Sequence, residues 1–171
     1  MIDAGIINFA IYENGSEYLG VAKITFPDMS NKKLTVNGAG IPGDVDLPVP
    51  GHRDAMSCTI EFLDAPEAAY KLAETRVHLL DCRVAHEKYN PTAAKLGVTG
   101  YKHVLEVIPT KLTSGSAAPS AAQAASGEYS CISRKDYIDG KLVLDYEPLN
   151  FKDVDASGTD HLAEVRKALG K

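Results

Sequence analysis

Short runs in which apolar and polar residues alternate constrain the fold of this chain more than any other feature. In residues 55–62 every even-numbered position is apolar, and every odd-numbered position from 57 onward is polar. Successive side chains of a β-strand point to opposite faces of a sheet, so this period of two predicts a half-buried strand. Residues 76–86 repeat the pattern, and residues 101–112 are apolar on both faces, which favours a strand covered on both sides.

Turn-forming residues join other runs of this kind into hairpins. Residues 8–12 and 18–26 flank a turn-like Glu-Asn-Gly-Ser sequence. Residues 128–137 and 141–146 flank the pair Asp139-Gly140, which is a strong signal for a two-residue hairpin turn. Neighbouring strands are therefore predicted to be antiparallel.

Two short helices are predicted beside the strands. Asp64 can cap the first, with Glu67 three residues further on in a capping-box arrangement, and this helix is expected to end near Thr75. The second is predicted over residues 159–169, an amphipathic stretch for which Ser157 is available as a cap. Its apolar side is predicted to consist of Leu162, Val165, Ala168 and Leu169.

These elements add up to a single domain over residues 1–171. About seven strands and two short helices predict a mainly β fold, an antiparallel β-sandwich or barrel with the helices on its flank. Residues 87–100 are expected to form a polar loop, and residues 113–127 a mobile loop rich in Ala and Ser. A chain of 171 residues is long enough to bury one hydrophobic core.

Residues 27–54 do not fit a compact domain of this size. The segment is rich in Gly and Pro, its one strand-like piece is 33–37, and irregular connections of this length are uncommon. It is nevertheless too apolar for a solvated linker, so we expect it to be ordered by packing against a neighbouring subunit. The residues predicted to make that contact are Leu34, Val36, Gly38, Gly40, Ile41, Pro42, Val45 and Leu47.

Charge and cysteine content bear on the class of protein. The formal net charge of −5 argues against a surface that holds nucleic acid, because such surfaces cluster Lys and Arg. It is compatible with an acidic channel that nucleic acid crosses without being held. Three scattered cysteines are too few for a disulfide framework and are predicted to be buried. The sequence has no apolar run near the ~20 residues that span a bilayer and no basic secretory signal, so a cytosolic product is expected.

The strongest metal-site candidate fails on its spacing. His78, Cys82 and His86 share one face of a predicted strand. Residues four apart on a strand are roughly 13 Å from each other, too far to share a zinc ion with bonds of ~2.0–2.3 Å. The glycine-rich residues 38–43 lack the Lys-Ser/Thr of a phosphate-binding loop, and Pro42 removes an amide donor. We predict neither a cofactor nor a metal.

A cysteine nucleophile is also disfavoured. It would need a base such as His103 or His86 and a carboxylate to orient that base. Cys58 lies on the apolar face of a predicted strand, which suits packing better than reactivity. The chain is therefore not expected to be an enzyme.

With these elements in order, the sequence resembles the phage major tail tube family of contractile-tailed viruses over nearly its whole length. Each matching piece is short, and their order and spacing make the likeness specific. The pieces are Asn8-Phe9, Tyr18-Leu19-Gly20-Val21-Ala22, Val36-Asn37-Gly38-Ala39-Gly40-Ile41, Gly43-Asp44-Val45-Asp46, Asp81-Cys82-Arg83, Ile138-Asp139-Gly140-Lys141, Asp160-His161-Leu162 and Val165-Arg166-Lys167-Ala168-Leu169-Gly170.

The resemblance implies a structural subunit of the inner tail tube of the virion, assembled in the cytoplasm of the bacterial host. Subunits of this family form hexameric rings that stack into a hollow tube, and strands of adjacent subunits join into one inner β-barrel. The long loop, here residues 27–54, reaches a neighbouring subunit or ring. The implied partners are further copies of the chain, the tail sheath protein, and the baseplate and tail-terminator proteins. DNA would pass through the lumen without specific binding, and we predict that acidic residues outnumber basic ones on the lumen-facing strands, since an acidic wall repels phosphates.

Two alternatives remain open. The tube of a phage-derived bacteriocin or of a secretion-type contractile injection machine would share the same physics with a different cargo. A small binding module or a cryptic cysteine hydrolase would instead remain a monomer, so electron microscopy that shows rings or tubes would separate it from a tube subunit.

Overall fold

The computed structural model describes residues 2–21 and 23–171 and consists mainly of antiparallel strands with two short helices. The predicted fold class is therefore confirmed. Ala22, part of one motif of the resemblance, lies outside the described residues. Neither described helix is long and apolar enough to cross a membrane. The elements are β1 (Ile2–Glu13), β2 (Glu17–Tyr18), β3 (Lys23–Thr25), β4 (Asn31–Val36), β5 (Val45–Arg53), β6 (Met56–Glu61), α1 (Glu67–Lys71), β7 (His78–Asn90), β8 (Lys95–Thr113), β9 (Ser126–Ile138), β10 (Lys141–Glu147), a 3-10 turn (Pro148–Asn150), β11 (Lys152–Val154) and α2 (Ala163–Ala168).

One nine-stranded sheet forms the body, in the order β11-β10-β9-β8-β7-β1-β2, with β3 and β6 joined to it through β9. The first half of β9 pairs with β6 and its second half pairs with β10. Because one edge of β9 serves two partners, the sheet divides there. Cys58 and Ile60 of β6 then join a single buried cluster with Ile11, Leu80 and Leu105 from β1, β7 and β8.

The strand predicted from the alternation in residues 55–62 is β6, and its even-numbered residues are buried as expected. Ala69 and Leu72, in and just after α1, close one side of the same cluster. Burial of this apolar surface is the main stabilising contribution to the fold.

Two predictions about the strands are wrong. The run 18–26 does not continue as one partner of β1: β2 pairs with β1 at only Tyr12 and Glu13, and β3 pairs with β6 instead. Gly20, at φ +61°, allows the chain to change direction between them. Residues 87–100 are not a loop, because β7 and β8 extend through them and leave only residues 91–94 as a turn.

Both predicted helix caps are also wrong. Pro66 occupies the cap position of α1, and the Asp64 carboxylate accepts the N–H of Ala65 instead of the N–H of a residue in the helix. The second helix begins at Ala163 rather than at residue 159, because Ser157 is hydrogen-bonded to the carboxylate of Asp155 within the preceding turn.

Residues 27–54 are more regular than predicted. β4 and β5 pair with each other as a separate two-stranded sheet, so residues 33–37 are not the one strand-like piece of this segment. We call residues 31–53 the arm. Residues 114–125 connect β8 to β9.

Candidate assembly surface

The arm is a hairpin with one apolar face. Its register pairs Leu34 with Leu47 and Val36 with Val45. Because side chains alternate along a strand and directly paired residues share a face, these four apolar side chains lie on the same side of the arm. The opposite face is polar, and there the Thr35 hydroxyl donates to the Asp46 carboxylate at 2.8 Å.

The apolar face of the arm is largely open to solvent in the single chain. Leu34 is 59% exposed, Leu47 51% and Val45 47%, while Val36 is half-buried. A two-stranded hairpin without a covered face is marginally stable in water at best. In the single chain, the arm therefore largely lacks the covered face on which the stability of such a hairpin depends.

The connection between the two arm strands holds the other predicted contact residues, Gly38, Gly40, Ile41 and Pro42. The N–H of Ile41 donates to the carbonyl oxygen of Gly38 at 3.1 Å, which forms a tight turn. Gly40 has φ +93°, in the region that favours glycine. The structure thus brings these four residues together at the distal end of the arm, beyond the apolar face.

A second exposed apolar surface lies at the outer end of the β7–β8 hairpin, and sequence reasoning missed it. Ile2, Tyr89 and Leu96 are register partners across β1, β7 and β8, and Val98 follows Leu96 on the same face. Leu96 is 70% exposed and Val98 67%. The alternation of apolar and polar residues from 95 to 99 could have indicated a strand here. It was not used, because residues 87–100 were interpreted as a loop.

The body sheet ends in two strand edges with room for further partners. On its outer side β1 is paired with β2 at only Tyr12 and Glu13, and within residues 2–21 and 23–171 no other strand covers that side. At the other end of the sheet, β11 pairs with β10 only from Asp145 to Glu147. Open edges of this kind can pair with strands of another chain.

A Cys–His–Asp alignment crosses three neighbouring strands without forming a reactive site. Cys82, His103 and Asp136 are register partners, and His103 Nδ1 lies 2.7 Å from Asp136 Oδ1. Burial raises the pKa of the Cys82 thiol far above its ordinary value, and burial also raises the pKa of Cys58 to about 12. Because the thiolate is the nucleophilic form, these buried neutral thiols suit packing.

His78 does not share a metal site with Cys82 and His86. Among the described residues, no group of three or more His, Cys, Asp or Glu side chains is arranged to hold a metal ion. Instead, His78 is fully buried, its Nδ1 lies 2.7 Å from Glu13 Oε1, and its Nε2 lies 3.0 Å from the Glu74 carbonyl oxygen. Burial by itself would raise the pKa of Glu13, but hydrogen bonds from His78 and Arg76 outweigh it and lower that pKa. This cluster ties β1 to β7.

Comparison with known proteins identifies a tail-tube family and a shared fold. The sequence model of the family described as phage tail tube protein FII matches residues 3–170. The fold is similar to a chain of the sheath/tube terminator of an extracellular contractile injection system, PVC, in its extended state: the TM-score is 0.54 and the identity 13%, over 80% of this chain and 98% of that one. It is also similar to a chain of the tube-terminating cap of the anti-feeding prophage, with a TM-score of 0.50 and 15% identity, over 81% of this chain and 93% of the other. No curated protein sequence matches significantly.

Proposed function

We propose, since this chain belongs to the phage tail tube protein FII family, that its copies form hexameric rings which stack into the inner tube of a contractile tail. The chain is a structural tube subunit, and the number of copies in a ring is what the family resemblance implies. The observation that carries the proposal is the arm, whose four apolar strand residues share one face that the single chain leaves largely open.

The arm contributes to assembly by burying its apolar face against a neighbouring copy. Leu34, Val36, Val45 and Leu47 supply the face, and Gly38, Gly40, Ile41 and Pro42 supply the distal turn. Removing apolar surface from water contributes about 25 cal/mol per Å² toward association, against which the cost of immobilising the second copy must be set. A neighbour also supplies the packed side on which a marginal two-stranded hairpin depends.

The open edges of the body sheet support ring closure. β1 of one copy can pair with the β10 side of the next, because each edge has unpaired length among the described residues. Repeating this step around a ring joins the body sheets into one barrel and removes the two exposed edges at their ends.

The partners that we propose around the tube are those that the family resemblance implies. The sheath protein encloses the tube, a terminator closes one end, the baseplate holds the other, and assembly takes place in the cytoplasm of the bacterial host. DNA crosses the lumen without specific binding, which is compatible with the net charge of −5. An assembled tube with a basic wall would contradict the predicted excess of acidic residues facing the lumen.

A role without catalysis agrees with the buried, neutral thiols at Cys58 and Cys82. The similarity to a terminator of an injection system and to a prophage cap keeps a bacteriocin or injection-machine tube as the second candidate. Both candidates use the same contacts and differ in cargo. Capsid genes beside the gene for this chain would favour the phage tail.

Deletion of residues 33–48 tests the role of the arm. Lys33 and Pro48 are register partners, so the cut ends meet, and the deleted residues include no member of the buried core. The shortened chain should fold, with a cooperative unfolding transition like that of the full chain, and fail to form the tubes that the full chain forms under electron microscopy. Unimpaired tubes would show that the arm is dispensable.

A shorter deletion elsewhere on the surface is the control for removing a segment between two strands. Residues 117–122 lie in the connection between β8 and β9, where the N–H of Ser116 donates to the carbonyl oxygen of Gln123 at 3.2 Å and brings the ends together. This connection has no proposed contact role, so its deletion should leave the tubes intact.

A further inference from the structure

We infer that residues 152–162, which comprise β11 and the turn leading into α2, lock the direction in which the arm leaves the body. The segment thereby controls assembly through Leu162 and Asp153, which act on the arm of their own chain. The consequence for assembly rests on the proposed function, whereas the lock itself does not.

The arm is attached to the body at its base. β4 and β5 pair only with each other among the described strands, and residues 31–50 are exposed except for the half-buried Val36 and Val49. Gly51 and Arg53, near the end of β5, make specific contacts with Leu162, Tyr146 and Asp153. An element of this shape can pivot unless its base is fixed.

The first fixing contact is between Gly51 and Leu162. Gly51 has φ +67° and lies in the bulge where β5 has more residues than β4, between the pairs Asn31–Arg53 and Lys33–Pro48. Leu162 is buried and packs directly onto the glycine, so that a Cβ at position 51 would overlap its side chain. The N–H of Leu162 donates to Asp160 Oδ1 at 3.0 Å, which holds the leucine in this position.

The second fixing contact is an ion pair between the arm and β11. Arg53 Nη2 donates to both carboxylate oxygens of Asp153, at 2.8 and 3.0 Å. The guanidinium lies 4.8 Å from the centroid of the Tyr146 ring, and the Tyr146 hydroxyl is 3.4 Å from the carbonyl oxygen of Gly51. The side chains of Arg53 and Asp153 are only 16% and 6% exposed, so the geometry of the pair is constrained by its surroundings.

A small rotation at this base has a large effect at the tip. The six residues of β4 span ~20 Å at ~3.3 Å per residue. A rotation of ~10° therefore moves the tip by ~3–4 Å, which is enough to lose van der Waals contact with a neighbour. Residues that fix the base are thus positioning residues for the apolar face.

Distances measured by electron paramagnetic resonance between two spin labels test the lock directly. The native cysteines Cys58, Cys82 and Cys131 are all buried, so Ala39→Cys at the tip and Lys141→Cys on the body would carry the labels. In dilute single copies of the otherwise unchanged chain, the distance distribution should be narrow. Leu162→Ala should make it roughly twofold broader, because the contact at Gly51 is lost.

A charge exchange provides the second test, with assembly measured on unlabelled chains. Asp153→Arg places two guanidinium groups together, which should broaden the distribution and abolish tubes. Combining it with Arg53→Asp should restore both properties. Val165→Ala, at an exposed position on α2, is the matched control and should change neither.

Each outcome decides the inference. A wild-type distance distribution in Leu162→Ala would overturn the lock, and so would a broad distribution in the unchanged chain. A wild-type yield of tubes from a variant with a broadened distance distribution would overturn the lock's control of assembly. If Asp153→Arg does not fold, the distance distribution and tube yield of Leu162→Ala alone decide whether the lock exists and controls assembly. If the unchanged chain forms no tubes at any concentration, the proposed function fails. The lock is still tested in that case, because the distances are measured in single copies.

Discussion

Replacing both leucines on the apolar face of the arm should weaken polymerisation without destabilising the subunit. Leu34 and Leu47 are 59% and 51% exposed in the single chain, so roughly half of each side chain remains to be buried by a neighbour. Full burial of a leucine contributes about 1.5–3 kcal/mol, so the remaining half contributes about 1 kcal/mol each. Leu34→Ser with Leu47→Ser also buries two imperfectly paired hydroxyls, which adds about 1 kcal/mol in total. The sum of about 3 kcal/mol corresponds to a ~100-fold weaker contact.

The critical concentration for polymerisation measures this effect. Polymer is separated by sedimentation over a range of total concentrations, and the double serine variant should require ~100-fold more protein than the unchanged chain. Leu34→Ile with Leu47→Ile keeps the apolar surface and should change the critical concentration little. Neither leucine belongs to the buried core, so the unfolding free energy of the single chain should stay within about 0.5 kcal/mol. An unchanged critical concentration in a folded serine variant would refute the role of the apolar face.

Three further predictions concern the body of the subunit. Leu105→Ala, at a fully buried position, should lower the unfolding free energy by about 3 kcal/mol in urea titration, and an unchanged midpoint would contradict the assigned core. Hydrogen bonds from Lys135 and Asn150, with the charges of Lys135 and Lys152, together lower the pKa of Glu147 to about 2, so this carboxylate stabilises the fold above pH 4.5 and loses that contribution as the pH falls toward about 2. Unfolding of Lys135→Met should therefore depend less on pH in that range, and an equal dependence would argue against the pair. A thiol reagent should modify none of the three buried cysteines in the native chain and all three in denaturant, and a fast-reacting native thiol would contradict their burial.

Local patterning predicted those elements whose signal lies in adjacent residues, even where the strand pairs with a distant partner, as β6 does with β9. The alternation in residues 55–62 identified β6, and Asp139-Gly140 identified the turn between β9 and β10, where both residues have positive φ. These elements are determined by the types of adjacent residues, through the period of two in a strand and the positive φ angles of a tight hairpin turn.

The same reasoning failed where tertiary contacts decide the structure. β5 was missed because Pro48 and Pro50 lack N–H donors and are unusual in strands. In the structure they are tolerated because one edge of β5 has no strand partner among the described residues and its pairing with β4 is interrupted by a bulge. The predicted apolar side of the second helix was also only partly right, since Leu162 is buried while Val165 and Leu169 are exposed.

The sequence singled out residues 27–54 as an unusual segment, but it did not reveal the geometry of the arm within it. The apolar content of residues 27–54 indicated a contact segment, whereas the shared face of Leu34, Val36, Val45 and Leu47 depends on the register of a hairpin that the sequence did not reveal. The exposed residues of the β7–β8 hairpin were missed because a polar loop was expected there. Whether the arm contacts a neighbour stays a prediction.

Hydrogen–deuterium exchange of the arm tests the central claim most directly. The claim is that a second copy covers the apolar face that the single chain leaves open. Amides of residues 33–48 should exchange rapidly in dilute single copies, as expected for an unsupported hairpin, and slowly in the polymer, while amides of β6 stay protected in both. Arm amides that exchange at the same rate in single copies and in tubes would contradict it.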